Sequence, residues 1–274
     1  MSLAADLRRH PLSHDFAWRE RRPPRPRRLT IDQLRAFDAQ GFIKLEGVFS
    51  AVEIAAVTAA IDPLEADAEA TLRAAGGQVS ISDADAITFT THIVAKSPTL
   101  RAFAAHPAIL DICHDLIGDD VRLYWDQSVY KKSQKPREFP WHQDNGYTYV
   151  EPQQYLTLWL PLVDVDEGNG CPWIAPGLHR MGTLKHWATP IGLKCLEDAP
   201  DVLPVPAKAG DAIVFSSLTP HRTGPNLRVG TVRKAYILQY AHDPSVATYR
   251  DGRQAAQDDP DRQFKVLEHG RPAD

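Results

Sequence analysis

Up to about residue 120, the chain carries apolar side chains at helical spacing, bounded by strong helix start signals. Thr30-Ile-Asp-Gln33 and Ser50-Ala-Val-Glu53 each match a capping box, in which two side chains satisfy N–H groups at a helix start. Ser97-Pro98 places a serine at an N-cap and a proline at the first helical position. The predicted helical stretches begin at these signals and cover about residues 30–41, 50–75 and 97–118.

Beyond Asp120 the apolar period changes to two, the period of β-strands, and turn-forming residues separate the runs. The predicted strands are Val121–Trp125, Tyr155–Leu160, Ala212–Phe215 and Ala235–Tyr240. No helices of about 10 to 15 residues alternate with them, so an antiparallel sandwich or barrel is favoured over a parallel sheet. We therefore predict a mainly β protein braced by N-terminal helices.

These patterns divide the chain into an arm and one domain. Residues 1–29 are predicted to form a basic, Pro/Arg-rich N-terminal arm. Residues 30–274 are predicted to form a single domain, with helical support over about 30–120 and a β core over about 121–245. The length of 274 residues, with 43% hydrophobic and 24% charged residues, excludes fibrous, membrane-spanning and wholly disordered classes.

Charge is distributed unevenly along the chain. Residues 1–30 hold eight arginines and three acidic residues, a net charge of +5, and the remaining 23 basic and 32 acidic residues give −9. An acidic body argues against a nucleic-acid surface. The arm is expected to wrap the protein's own acidic surface or to stay mobile, and contact with another acidic partner stays open.

Cysteine usage and the absence of targeting patterns predict a cytoplasmic location. The three cysteines lie far apart and form no CxxC pair, so neither a zinc ribbon nor a disulfide scaffold is expected. No apolar stretch follows the arginines of the arm, so no secretory or twin-arginine signal is expected. The oligomeric state stays open.

Two histidines and an aspartate are the candidate metal ligands. In Trp141-His-Gln-Asp144, His142 and Asp144 lie two residues apart, a spacing that puts both side chains on one face of an extended chain. A lone His-x-Asp arises by chance roughly once in a chain of this kind. His221 lies in a loop after the strand that ends at Phe215 and supplies a third candidate. Two histidines and one carboxylate form the facial set that leaves positions open on non-haem Fe(II).

Arg233 is a candidate anion-binding residue. On its predicted strand it shares one face with Ala235, Ile237 and Gln239. A guanidinium that points into an otherwise apolar barrel needs an anion, and a carboxylate supplies one through two parallel hydrogen bonds. The alternative is that Arg233 and Lys234 lie solvated at a strand entrance, and spacing alone does not separate the two.

Together these residues resemble the phytanoyl-CoA dioxygenase family of Fe(II)/2-oxoglutarate oxygenases, over roughly residues 30–240. The resemblance is carried by Asp38-Ala-Gln-Gly41-Phe, Trp141-His-Gln-Asp-Asn-Gly-Tyr147, Asn169-Gly-Cys-Pro-Trp-Ile-Ala-Pro-Gly-Leu-His179, His221-Arg-Thr-Gly-Pro-Asn226 and Arg233-Lys-Ala235. It implies a double-stranded β-helix, which is a cupin-like jelly roll. It also implies Fe(II), the cosubstrate 2-oxoglutarate, and dioxygen.

The resemblance also implies roles for individual residues. His142, Asp144 and His221 match the family's iron ligands, and Arg233 matches its clamp on 2-oxoglutarate. The residues that match positions lining the cosubstrate are Gln127, Trp159 and Thr223. Apart from the resemblance, Tyr147, Trp173 and Trp125 are either core aromatics or pocket walls. Tyr147, which directly follows the ligand strand, and Trp173 are the candidate substrate residues. Leu178 departs from the family, which usually has serine in that turn, so a substrate role for the turn is in doubt.

The implied activity is hydroxylation of a small organic molecule with release of succinate and carbon dioxide. Desaturation or cyclisation by the same machinery stays open. A halogenase is disfavoured, because such relatives have a small residue where Asp144 stands. A jelly-roll binding protein without turnover would be expected to lack a ligand or the clamp, and a zinc hydrolase would not need Arg233. The expected partner is a small molecule, with neither nucleic acid nor membrane.

Overall fold

The computed structural model describes residues 7–21, 23–199 and 201–273. The α-helices are α1 (Ile31–Gln40), α2 (Ala51–Ala74), α3 (Pro98–Ala104) and α4 (Pro107–Leu116). The strands are β1 (Phe42–Leu45), β2 (Gln78–Val79), β3 (Ser82–Asp83), β4 (Ile87–Thr91), β5 (Val121–Lys132), β6 (Phe139–His142), β7 (Tyr149–Glu151), β8 (Leu156–Pro161), β9 (Pro172–Ile174), β10 (Trp187–Thr189), β11 (Gly192–Lys194), β12 (Leu203–Pro204), β13 (Ala212–Ser216), β14 (His221–Thr223), β15 (Val232–His242), β16 (Val246–Thr248), β17 (Gln254–Ala256), β18 (Lys265–Glu268) and β19 (Arg271–Pro272).

The predicted class, mainly β with N-terminal helices in a jelly roll, is confirmed. A large antiparallel sheet runs in the order β1-β13-β8-β15-β5-β4-β3-β2, and a smaller antiparallel sheet runs in the order β12-β9-β14-β6. An apolar cluster joins the two sheets, with Trp159 and Phe215 from the large sheet and Ile174 from the small one. Each predicted strand lies within or overlaps an observed one.

Central strands of the large sheet are buried on both faces, which explains their almost continuous apolar sequence. On β8, Leu156, Leu158 and Leu160 belong to the cluster that packs against the helices. Thr157 and Trp159 alternate with them and face the space between the sheets, where both line a cavity. Strands β13 and β15 alternate in the same way. The period of two therefore separates a structural face from a site-forming face.

The helices begin where the capping signals predict. Thr30 caps α1 with Gln33, and Ser50 caps α2 with Glu53, each by reciprocal side-chain and backbone hydrogen bonds. Gly41 ends α1 with φ of 84°, a conformation that favours glycine. None of the helices within the described ranges is both long and apolar enough to cross a bilayer.

Strands also form outside the predicted β core of 121–245. Strand β1 pairs with β13, and β4 pairs with β5, so the segment predicted as helical support also extends the large sheet. Strand β18 pairs with the start of β5, at Val121 and Arg122, with Val266 and Leu267 buried. These strands are short, and their pairing partners lie far away in sequence, so local periodicity does not reveal them.

The described part of the N-terminal arm, residues 7–21 and 23–29, contacts the body of the protein. Arg9 forms an isolated β-bridge with Leu184. Further along, the fully buried carboxylate of Asp115 on α4 accepts hydrogen bonds from the backbone N–H groups of Arg27, Arg28 and Leu29, at 2.8 to 2.9 Å. An anion that binds three successive N–H groups fixes the path of the chain into α1.

We expect Asp115→Asn to lower the free energy of unfolding by about 2 to 4 kcal/mol, because the new amide NH₂ group faces N–H donors and leaves them unsatisfied. Chemical denaturation measures the loss, and limited proteolysis near residues 25–29 should become faster. Asp111→Asn, one turn earlier on α4 and partly exposed, is the matched control. Equal stability of the two variants would contradict the anchoring role of Asp115.

Candidate active site

A cavity of about 450 Å³ lies between the two sheets and opens at one end. Its walls come from β5, β8 and β15 of the large sheet and from β6 and β14 of the small sheet. The size is typical of pockets for small ligands. All three candidate metal ligands and Arg233 line this cavity, so the structure brings the predicted chemistry to one place.

The pairing of β6 with β14 places the two histidines opposite each other. His142 is the last residue of β6 and His221 the first of β14, and they are register partners with ring centroids 4.1 Å apart. Asp144 lies in the turn directly after β6. Its Oδ1 is 3.8 Å from Nε2 of His142 and 3.9 Å from Nε2 of His221. One ligand atom from each residue lies within 4.8 Å of the others, an arrangement that could hold a metal ion.

Backbone hydrogen bonds orient both imidazoles toward the metal position. Nδ1 of His142 bonds the carbonyl of Pro140 at 2.8 Å, and Nδ1 of His221 bonds that of Thr219 at 3.0 Å. A proton on Nδ1 leaves Nε2 with its lone pair, the form a metal requires. Burial, followed by the neighbouring His221, holds the pKa of His142 well below its usual value and favours the neutral ring.

Asp144 and its turn are held from several sides. Oδ2 of Asp144 accepts a hydrogen bond from the hydroxyl of Thr157 on β8. The fully buried amide side chain of Gln143 donates to Gly182 and Leu218 and accepts from Leu184. Gln143 lies between His142 and Asp144 in the chain, so these hydrogen bonds hold the backbone of the turn that carries both candidate ligands.

Two further histidines lie close to the site and are enclosed by the protein, His179 fully and His186 in part. His179 lies in a turn, at Leu178–Met181, where it is fully buried and contacts the carbonyl of Asp38 at 3.1 Å. His186 accepts a hydrogen bond from the backbone N–H of Gln143 at 2.9 Å. A methyl group on Gly146 would lie 2.0 Å from the ring of His186, so only glycine fits there.

Arg233 is a buried cation without an acidic partner in the described part of the chain. It is 1% exposed, so the alternative of a solvated strand entrance is wrong. One guanidinium nitrogen donates to the carbonyl of Val129 at 3.1 Å, Nε has no hydrogen-bond partner, and the group lies 5.3 Å from the ring centre of Trp159. Burial lowers the pKa of Arg233 to about 9. A bound carboxylate would satisfy this group.

Other cations near the cavity already have partners. Lys131 is the register partner of Arg233, but its ammonium donates to the carbonyls of Arg137, Thr223 and Gly224 at 2.7 to 3.0 Å. Lys132 pairs with glutamates on α2. Arg233 is therefore the cation that the fold leaves available to a ligand in the cavity.

Most of the remaining predicted residues lie at the cavity. Its lining includes Gln127, Trp159, Thr223 and Tyr147. Trp173 does not line it: this residue lies on β9, outside the cavity, where its ring contacts the guanidinium of Arg222 at 5.2 Å.

Several lining residues were not identified from the sequence. Thr157 is the polar residue within the apolar run of β8, a signal that could have found it. Gln239 shares the face of Arg233 on β15. Phe89 and Ser82 come from the segment before α3, and their place at the cavity depends on the unpredicted pairing of β3, β4 and β5.

The donor chemistry fits a non-haem iron and a dicarboxylate. Two enclosed histidines with Nε2 directed at a carboxylate oxygen match the facial set of Fe(II) oxygenases, which leaves positions for other ligands. The unpaired guanidinium in the same cavity fits the second carboxylate of a chelating acid.

Comparisons with known proteins agree with this chemistry. A family model described as phytanoyl-CoA dioxygenase matches residues 37–235. The ectoine dioxygenase of Bordetella parapertussis is 25% identical over 221 residues, which cover 73% of this chain and 71% of that protein. The crystal structure of EctD from S. alaskensis, with 2-oxoglutarate and 5-hydroxyectoine, is 27% identical with a TM-score of 0.64, over 86% of this chain and 82% of that one.

A further solved structure is the non-haem α-ketoglutarate-dependent carbocyclase SnoK from nogalamycin biosynthesis. It is 25% identical with a TM-score of 0.65, and the match covers 84% of this chain and 90% of that one.

We expect Thr157→Val to weaken binding of Co(II) or Ni(II) by about 10- to 100-fold, because the carboxylate of Asp144 loses the hydroxyl that orients it. Titration of metal-free protein measures the change. Thr157→Ser keeps the hydroxyl and is the matched control, with affinity close to that of the unchanged protein. Tight metal binding by Thr157→Val would show that the turn alone orients Asp144.

Proposed function

The chain belongs to the phytanoyl-CoA dioxygenase family, and on that premise we propose that its cavity hydroxylates a small organic molecule. The enzyme is a non-haem Fe(II)- and 2-oxoglutarate-dependent dioxygenase. In the reaction one oxygen atom of O₂ enters a C–H bond of the substrate. The other enters 2-oxoglutarate, which becomes succinate and carbon dioxide, so atoms and electrons balance.

His142, Asp144 and His221 are the proposed iron ligands. The bound Fe(II) supplies the activation of dioxygen, for which the protein must leave coordination positions open. The Nδ1–H bonds of the histidines and the Thr157 hydroxyl hold the three side chains before any ligand arrives. The proposal is supported most directly by the presence of this set and an unpaired buried arginine in one cavity.

Arg233 is the proposed partner of the distal carboxylate of 2-oxoglutarate. Its position on β15 places it deep in the cavity, with Trp159 against the guanidinium. Gln127 and Thr223 are proposed to line the same cosubstrate. Exclusion of water by these buried side chains strengthens the ion pair that Arg233 forms.

The carboxylate of Asp144 argues against two alternatives. It stands where a halide would need space, and it completes a ligand set that a binding protein without turnover would not need. Cyclisation remains a second candidate outcome, because SnoK is a carbocyclase at the same level of similarity as the ectoine dioxygenase. The identity of the product separates hydroxylation from cyclisation.

The wider assignments are also proposals. Residues 30–274 act as a single catalytic domain, and the partner is a small molecule rather than nucleic acid or membrane, because the body carries net negative charge. A cytoplasmic location is supported by Cys113, Cys171 and Cys195, which are buried free thiols.

The central experiment supplies Fe(II), 2-oxoglutarate and air to the purified protein. We expect slow formation of succinate even without substrate, and loss of this activity in Asp144→Ala. Asp166→Ala, in an exposed ion pair with Arg228, is the matched control and should retain the activity. Absence of succinate with full metal binding would contradict the proposed function, and chlorinated products in chloride buffer would overturn hydroxylation.

We expect Arg233→Met to weaken 2-oxoglutarate binding by about 2 to 5 kcal/mol, or roughly 30-fold to several-thousand-fold, because the distal carboxylate is left buried and unpaired. Arg233→Lys keeps the charge but not the two parallel donors, so it should recover only part of the affinity.

Titration of 2-oxoglutarate into Ni(II)-loaded proteins measures both effects, and metal affinity should stay the same because Arg233 contacts none of the three proposed ligands. Unchanged cosubstrate binding by Arg233→Met would place the clamp elsewhere.

A further inference from the structure

The part of the cavity that remains for a substrate is uncharged. Of the described residues that line the cavity, Asp144 and Arg233 carry charge, and the proposed function uses both. The histidines of the ligand set belong to the metal. A substrate therefore meets neutral side chains only.

Aromatic rings form a continuous wall beside the proposed metal position. The rings of Phe89 and Phe139 are 5.3 Å apart between centroids, and Phe139 lies nearly parallel to Tyr147 at 6.4 Å. Tyr147 in turn lies 5.5 Å from the His142 ring, edge to face. Trp125 also lines the cavity, from β5. Such a surface favours apolar ring systems, which bury large areas on aromatic faces.

The polar groups in this region are amides and hydroxyls. Gln239, Thr91 and Thr148 line the cavity, and these side chains donate or accept hydrogen bonds without charge. Arg137, two residues before Phe139, is engaged in an ion pair with Asp83 at 3.1 Å. A carboxylate or ammonium on the substrate would be buried without a counter-ion, at a large desolvation cost.

We propose that the substrate is an uncharged molecule with an apolar ring surface and neutral hydroxyl or carbonyl groups. The assignment rests on the proposed function, because it takes Arg233 and Asp144 as already engaged. It separates this enzyme from its relatives that are named ectoine dioxygenases, since ectoine carries both a carboxylate and a positive charge.

The test compares three probes that share a ring system and differ in charge: naphthalene methanol, naphthoate and naphthylmethylammonium. Each is titrated into Ni(II)-loaded protein at saturating 2-oxoglutarate and followed by calorimetry. We expect the neutral probe to bind about tenfold more tightly, or better, than either charged probe. Without 2-oxoglutarate, naphthoate should bind at Arg233 and be displaced by the cosubstrate.

A charge placed in the wall should reverse the preference. Ile81 lines the cavity, whereas Val79, two residues earlier, is 50% exposed and outside it. Ile81→Arg should strengthen binding of naphthoate about tenfold or more and weaken binding of naphthylmethylammonium. Val79→Arg is the matched control and should leave all three affinities unchanged.

Each result bears on the substrate class. The proposed substrate class would be overturned by equal affinities for the three probes, by a preference for a charged probe, or by no binding of the neutral probe in the presence of 2-oxoglutarate. Hydroxylation of ectoine to 5-hydroxyectoine would overturn it as well, while leaving the proposed function intact. Failure of the unchanged protein to bind 2-oxoglutarate would instead contradict the proposed function, and the probe titrations report the charge preference of the cavity separately.

Discussion

The antiparallel pairing of β6 with β14 is the constraint on which the candidate site depends. These strands come from segments about eighty residues apart, and their register sets His142 opposite His221. Everything else is arranged around that pair. The turn after β6 presents Oδ1 of Asp144 at nearly equal distances from Nε2 of both rings. The large sheet then supplies the hydroxyl of Thr157 and the guanidinium of Arg233 to the same cavity. A shift of one residue in this register would turn one histidine away from the other.

Alternate residues along the strands of the large sheet face two different environments, the helices on one side and the cavity on the other. Leucines on one face of β8 pack against the helices. Thr157 and Trp159, which alternate with these leucines in the sequence, face the cavity on the other side of the sheet. Because neighbouring strands are in register, Trp125 lies beside Gln239 and Gln127 beside Ile237. The apolar core of the protein thus forms between the helices and the outer face of the sheet. The inner face can therefore carry polar groups that line the cavity.

Local signals in the sequence were sufficient for some of these features and not for others. The capping box at Thr30 and the His142–Asp144 spacing depend on residues a few positions apart, and a pattern analysis finds them. Strand alternation placed Arg233 on one face with Ala235, Ile237 and Gln239, but its inward direction was established by its burial and not by spacing. By contrast, the pairing of β18 with β5 and the position of Trp173 outside the cavity depend on which distant segments pair, and no local period encodes that. Thr157 is an intermediate case: it was not identified from the sequence, although a polar residue inside an apolar strand is a local signal that could have found it.

The N-terminal arm has a consequence for the order of events during synthesis. Residues 8–10 are joined to residues 183–185 by backbone hydrogen bonds, from His10 to Thr183 and from Lys185 to Arg8. A ribosome must add more than 170 residues after residue 10 before these partners exist. The other end of the arm can dock earlier, because the carboxylate of Asp115, which binds the N–H groups of residues 27–29, lies only 86 to 88 residues further along the chain. The two ends of the arm therefore acquire their partners at different times: residues 27–29 after Asp115 has been made, and residues 8–10 only after residues 183–185.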